Sequence, residues 1–326
     1  MPPTKLVRTA LAAVGAGTVL AVVALPAAYA GDDDGWQSAG KGKTAGISGI
    51  AVSEAAVADG DVKAVVVRDN KKPDENRVAA VGYHDGDKPD VEPLDWKGGE
   101  LPADLEALTG IPGEKGGHLA ATSSGTVYHL RVAGGEAKVV DTFELPAVQS
   151  GDEVESLTLG TASPSAARGA RAPAAEGKLT AVWGGRGEDD RPGTLHAALL
   201  SFDSEGRADF GKVQSAEVRA PYPAENVRHA SDTAAADSGD LLVSSASDPG
   251  DDGPFDSAVY VAGRVSLDDS GALVLTVAKD PEVLRKFEKH KIEALACLPG
   301  KDKAILGTDD ENEGGSLTTA GGVCGK

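Results

Sequence analysis

The chain has 326 residues, with 51 acidic against 32 basic side chains and a formal net charge of −19. That balance argues against a protein that grips nucleic-acid phosphates or docks on anionic lipid, since both need a basic footprint. A hydrophobic share of 40 % is enough for a core, while 42 glycines, 18 prolines and few aromatics favour frequent turns over long helices.

Residues 1–30 read as a secretory signal: Lys5 and Arg8, an apolar run from Thr9 to Leu25, then Pro26 and the small-residue pattern Ala28-Tyr29-Ala30. The alternative is an N-terminal anchor, but the run is barely long enough to span and Pro26 ends it. Cleavage leaves 30 basic against 51 acidic residues, a net charge of −21, and predicts a secreted, extracellular protein with no membrane attachment. No cysteine stands directly after the cleavage site, where Gly31 follows Ala30, which argues against a lipid anchor. Residues 31–45 are a polar Gly/Asp/Lys stretch, expected to be a flexible arm. The GKGKT within it is not a phosphate-binding loop, because Gln37 stands where that loop needs a glycine and no strand precedes it.

Residues 46–326 read as one domain of short strands. Val62–Val67, His118–Ala121, Thr126–Val132, Ala137–Phe143, Lys178–Trp183, Leu195–Phe202, Asp240–Ser244, Ala258–Val265 and Ala272–Val277 have strand character. Several are joined by tight glycine turns such as Ala133-Gly134-Gly135-Glu136, the mark of consecutive hairpins. Residues 161–176 are low-complexity and 184–193 form a long turn. One helix is expected before the last unit: Asp280 caps it, Pro281 takes its first position, and Val283, Leu284 and Phe287 share a face. Its cations Arg285, Lys286, Lys289 and Lys291 read as a solvated face. The two cysteines, Cys297 and Cys324, pair naturally in an oxidising compartment, closing a loop worth about 3 kcal/mol.

An internal repeat organises these strands. DLEALTGIPG (104–113) and KIEALACLPG (291–300) share five of ten positions, and EVESLTLGTA from Glu153 is a third copy. Weaker copies start at Gly46 and Asn226. Their equivalent positions are Ser48, Glu106, Glu155, Arg228 and Glu293, spaced 58, 49, 73 and 65 residues apart. Units of this length with several strands each indicate an all-β fold, a β-propeller of five blades, or six if the 73-residue gap hides another. The last unit is short, so a strand from the N-terminal arm is expected to complete it and close the ring.

The motif pair DLEALTGIPG and KIEALACLPG, with the strand ending in GTDDENEGG, resembles the secreted phytase-like and esterase-like β-propellers of bacteria. That resemblance implies that the motif's acid starts each innermost strand and points into the central channel. It also implies calcium as a cofactor and, in some members, phosphoester or ester hydrolysis. Glu106, Glu155 and Glu293 would then line the channel mouth as metal ligands, with Asp309 and Asp310 on a nearby loop. Arg228 and Ser48 depart from the acidic pattern and, with His229, would line the channel.

Converging carboxylates need a cation, a paired arginine or raised pKa values. Carboxylate oxygens suit calcium. The alternative is that each Glu bonds its own blade's amides with Arg228 as a structural counter-ion. No nucleophile elbow, His-rich metal motif or basic phosphate pocket stands out. A monomeric binding module for a small ligand or an extracellular protein is therefore the leading expectation, and a calcium-dependent hydrolase the alternative.

Overall fold

The computed structural model describes residues 35–53, 61–162 and 178–325, and the backbone of Ala28–Tyr29. Apart from Ala28–Tyr29, the expected secretory signal lies outside the described residues, as does most of the low-complexity stretch. Five antiparallel sheets follow one another along the chain. Blade 1 is Gly49–Val52, Asp61–Val67, Val78–His84 and Asp90–Pro93. Blade 2 is Leu105–Gly110, Gly117–Thr122, Thr126–Ala133 and Glu136–Glu144, with Asp95–Lys97 added parallel at its edge. Blade 3 is Val154–Ala162, Lys178–Gly185 and Gly193–Phe202, whose outer side pairs with both Ala208–Phe210 and Gln214–Val218. Blade 4 is Val227–Ala235, Asp240–Ser247, Asp256–Leu267 and Leu273–Glu288, with Ala28–Tyr29 parallel at its edge. Blade 5 is Ile292–Cys297, Lys303–Thr308 and Ser316–Gly321.

The ring has five blades. The 73-residue interval before Arg228 holds one blade with a split outer strand and the low-complexity insertion, and no sixth sheet arises among the described residues. The turns are set by local chemistry: Gly134 and Gly135 both take positive φ between Ala133 and Glu136, as a two-residue hairpin requires.

Each blade buries its faces only against its neighbours, which is why the blades must stack. Five apolar clusters result, one per interface. Trp183 and Leu157 of blade 3 meet Leu119 and Val127 of blade 2, and Ile305 and Leu317 of blade 5 meet Ile50 and Val81 of blade 1. Inner strands crowd the axis: a Cβ on Gly49 would come within 2.7 Å of the Leu108 amide nitrogen, so only glycine fits there. Buried Asp232 accepts hydrogen bonds from Leu295 N (2.6 Å) and Thr233 N (2.7 Å), tying the inner strands of blades 4 and 5 together.

Closure is made by the segment expected to be a flexible arm. From Gly35 onward it belongs to the ring: Gln37–Ser38 forms the outermost strand of blade 5, opposite Leu317 and Ser316. Cys297 and Cys324 are bonded, with Cα atoms 5.7 Å apart, and hold the C-terminal tail to the inner strand of that blade.

The expected helix at 280–291 is instead the end of the 16-residue outer strand Leu273–Glu288. Its apolar residues fit a strand face as well as a helix face. One register shift skips residues 278–281, so Pro281 sits in a bulge where its missing N–H costs the ladder nothing. Buried Phe287 packs there with Trp36 and Val259. Among the described residues no helix is long and apolar enough to cross a membrane.

Candidate functional site at the channel mouth

The repeat glutamates share a backbone device. On the innermost strands the register slips between Leu105 and Ala107, between Val154 and Ser156, and between Ile292 and Ala294. Glu106, Glu155 and Glu293 are therefore the extra residues of three equivalent bulges. A bulge leaves its residue out of the ladder and re-aims the side chain. Blade 4 slips over a longer span, Arg228 to Asp232, and presents Arg228. All four side chains line one cavity of about 490 Å³ at the channel mouth.

The loops between the second and third strands of the blades build its rim. They supply Asp69–Lys72 and Glu75 from blade 1, Ser123 from blade 2, Arg186 from blade 3, and Asp309 and Glu311 from blade 5. The blade 1 loop is braced by buried Arg77, which donates to Pro102 O (2.5 Å), Glu75 O (2.7 Å) and Lys72 O (3.0 Å). Asn70 Nδ2 adds bonds to Thr44 O and Asn76 O.

Nine carboxylates and six cations line the cavity. Every cation has a carboxylate partner. Lys43 meets Asp251 (2.5 Å), Lys71 meets Asp104 (2.8 Å) and Lys72 meets Glu75 (3.1 Å). Arg186 meets Glu153 (2.6 Å), Arg228 meets Asp248 and Glu293 (2.9 Å to the latter), and Lys291 meets Glu311 (2.5 Å). Glu155 shares Arg186 (3.4 Å) and Arg228 (3.6 Å). Among the described residues, the lining carboxylates left without an ion pair are Asp69, Glu106 and Asp309, so acidic groups outnumber cations at the mouth.

Burial and mutual repulsion raise the acids. Burial, with Glu155 and Glu293 close by, holds the Glu106 carboxyl well above its usual range. Burial pushes Glu155 up to about 7, against the pull of Arg228. Asp309 rises to about 8 through burial and the nearby Glu293 charge. Lys291 and Arg228 are held more firmly protonated than usual, because the surrounding carboxylates outweigh the cost of burying a cation.

Asp69, Asp104 and Glu106 form the tightest acidic group, each offering an oxygen within 4.8 Å of the others. Asp104 stands at φ 66°, a left-handed conformation that aspartate tolerates better than most residues. Its backbone is held by Ser123 N donating to Asp104 O (3.1 Å), and its carboxylate accepts from Ser123 Oγ. Burial would raise its pKa, but the hydrogen bonds from Lys71 and Ser123 prevail and lower it.

Of the residues singled out in the sequence, Glu106, Glu155, Glu293, Asp309 and Arg228 share this cavity, and three do not line it. Asp310 is turned into its own blade, accepting from Lys291 N (2.6 Å), Thr308 Oγ1 (2.8 Å) and His290 Nδ1 (2.7 Å). His229 points into the blade 3–4 interface. Its Nδ1 accepts from Ala220 N, which puts the proton on Nε2 for Asp189 O (2.8 Å). Ser48 precedes the only inner strand without a register slip and is fully buried. Lys291, read as part of a solvated helix face, is buried at the mouth. Asp69, Asp104 and Arg186 escaped sequence reasoning. Asp104 was visible as the residue two before the motif Glu; Asp69 and Arg186 sit on turns with no shared pattern.

No family model matches the chain, and no curated protein is similar to it. Among solved structures, that of the Saccharomyces cerevisiae Sqt1 is similar over 82 % of this chain and 71 % of that chain. The identity is 10 % and the TM-score 0.34, too loose an overlap to bear on fold or function.

Proposed function

We propose that this propeller is a binding module whose channel mouth holds a cation, calcium first among candidates, through Asp69, Asp104 and Glu106. The observation that carries this reading is the convergence of three carboxylates from two blades. Calcium–oxygen distances of about 2.3–2.6 Å place two oxygens on one ion at most about 5 Å apart, and this trio already meets that limit. Glu155 and Glu293 are engaged by Arg228, Arg186 and Lys291, so they support the site's charge rather than complete a symmetrical ligand ring. Lys71 occupies Asp104 and must swing away for the ion to enter. An extracellular setting, as the N-terminal sequence suggests, would supply calcium at the concentrations such modest sites need.

A hydrolase of the phytase-like kind is less well supported. Phosphoester cleavage needs positive groups free to meet the developing charge, and all six lining cations are already paired. Calorimetric titration with calcium chloride tests the proposal. A single site is expected, weakened at least about tenfold in Glu106→Gln. No heat and no rise in melting temperature at about 5 mM calcium would sink it.

A further inference from the structure

The inner strands run away from the charged mouth, and their far ends enclose a second, larger cavity of about 800 Å³. Its walls come from all five blades and are small and apolar: Ile50 and Val52, Leu108, Leu159, Ala234 and Leu295 are among them. A volume of this size with mostly apolar walls and few polar groups is what drug-sized ligands occupy.

Among the described residues the charges that line it are few and come only from blade 2. Glu114 is engaged by Arg131 (2.6 Å) and by His129 Nε2 (3.3 Å). His118 Nδ1 meets Gly116 O at 3.1 Å, and burial lowers its pKa, so the ring is neutral at pH 7. Lys115 is exposed and has no ion-pair partner among the described residues. In a chain of net charge −19, the one uncompensated charge that the described residues bring to this cavity is therefore positive.

We propose that this end of the channel is a second binding site, and that it takes a small organic anion with an apolar body. The body fills the space between the strand ends, and Lys115 meets the anionic group. Repulsion from the rest of the acidic surface disfavours anions elsewhere, which makes the site selective. This inference does not depend on the calcium reading.

Gly110 offers a clean test. It lines the cavity, its φ is not left-handed, and a Cβ built there meets nothing within 4 Å. Gly110→Trp should therefore fill the space without breaking the strand. The ligand used is 1-anilinonaphthalene-8-sulfonate, followed by fluorescence, with N-phenyl-1-naphthylamine as the same aromatic body lacking the charge. Expected are saturable one-to-one binding of the sulfonate and a loss of about tenfold or more in Gly110→Trp. The neutral compound should bind at least about threefold more weakly, and Lys115→Glu should erase that preference. Non-saturating or multiple-site binding, full affinity in Gly110→Trp, or equal binding of the neutral compound would each overturn the proposal. Near-ultraviolet circular dichroism establishes that each variant is folded, and the Lys115→Glu comparison stands even where Gly110→Trp is not.

Discussion

The two mouths of one channel are built from the same five strands, yet they differ in almost every physical respect. At the starting ends, bulges turn Glu106, Glu155, Glu293 and Arg228 toward the axis and the loops add further charge. At the far ends the strands are regular, their side chains are small and apolar, and the cavity is wider. The difference teaches that a repeat does not need to repeat its chemistry along its whole length. One irregular residue per strand makes one end polar, while the ordinary alternation of the next four or five residues leaves the other end greasy.

This contrast can be broken experimentally. The largest effect should come from the disulfide, which anchors the tail at the apolar end. Cys297→Ser with Cys324→Ser should lose about 3 kcal/mol in denaturant unfolding, and should weaken sulfonate binding more than calcium binding. Equal loss at both ends would show that the mouths are not independent. Next, Glu106→Gln should reduce calcium affinity at least about tenfold and leave sulfonate binding unchanged, the reverse of Gly110→Trp.

A pH series sharpens the comparison further. Glu155 and Asp309 have folded pKa values raised to about 7 and about 8, above what the unfolded chain shows. Their contribution is therefore fully present at acid pH and is lost as pH rises through those values. The calcium-free protein should lose stability between about pH 5 and 8, by on the order of 1 kcal/mol after screening at an open mouth. Calcium should offset that loss, because a bound cation reduces the repulsion among the neighbouring carboxylates and stabilises the folded state by binding it. A melting temperature that is flat over this range with chelator present would contradict the crowding of carboxylates described here. The smallest effect belongs to Lys71→Met, which removes the tethered ammonium from Asp104 and should tighten calcium binding about two- to fivefold. Weaker binding in that variant would mean that Lys71 helps to form the site rather than competing for it.

Much of the frame was legible because its signals are local. Hairpins announce themselves through glycine turns and alternation, and five copies of one motif announce a ring of five or six blades. The same local logic failed at 280–288, where a capping Asp, a Pro and three apolar residues suit a helix end. The register of the neighbouring strand Asp256–Leu267 decided for a bulged strand. It also failed for Gly35–Ala45, whose polar composition conceals the strand that closes the ring.

By itself, then, the sequence determined the class of fold and narrowed the ring to five or six units. Both follow from periodicity and spacing, which act between near neighbours in the chain. Which charges meet is a different matter. Asp69 and Glu106 come from different blades, and Arg228 reaches Glu293 across 65 residues of chain. Only the closing of the ring sets such distances, and a charge's partner, pKa and usefulness all depend on them.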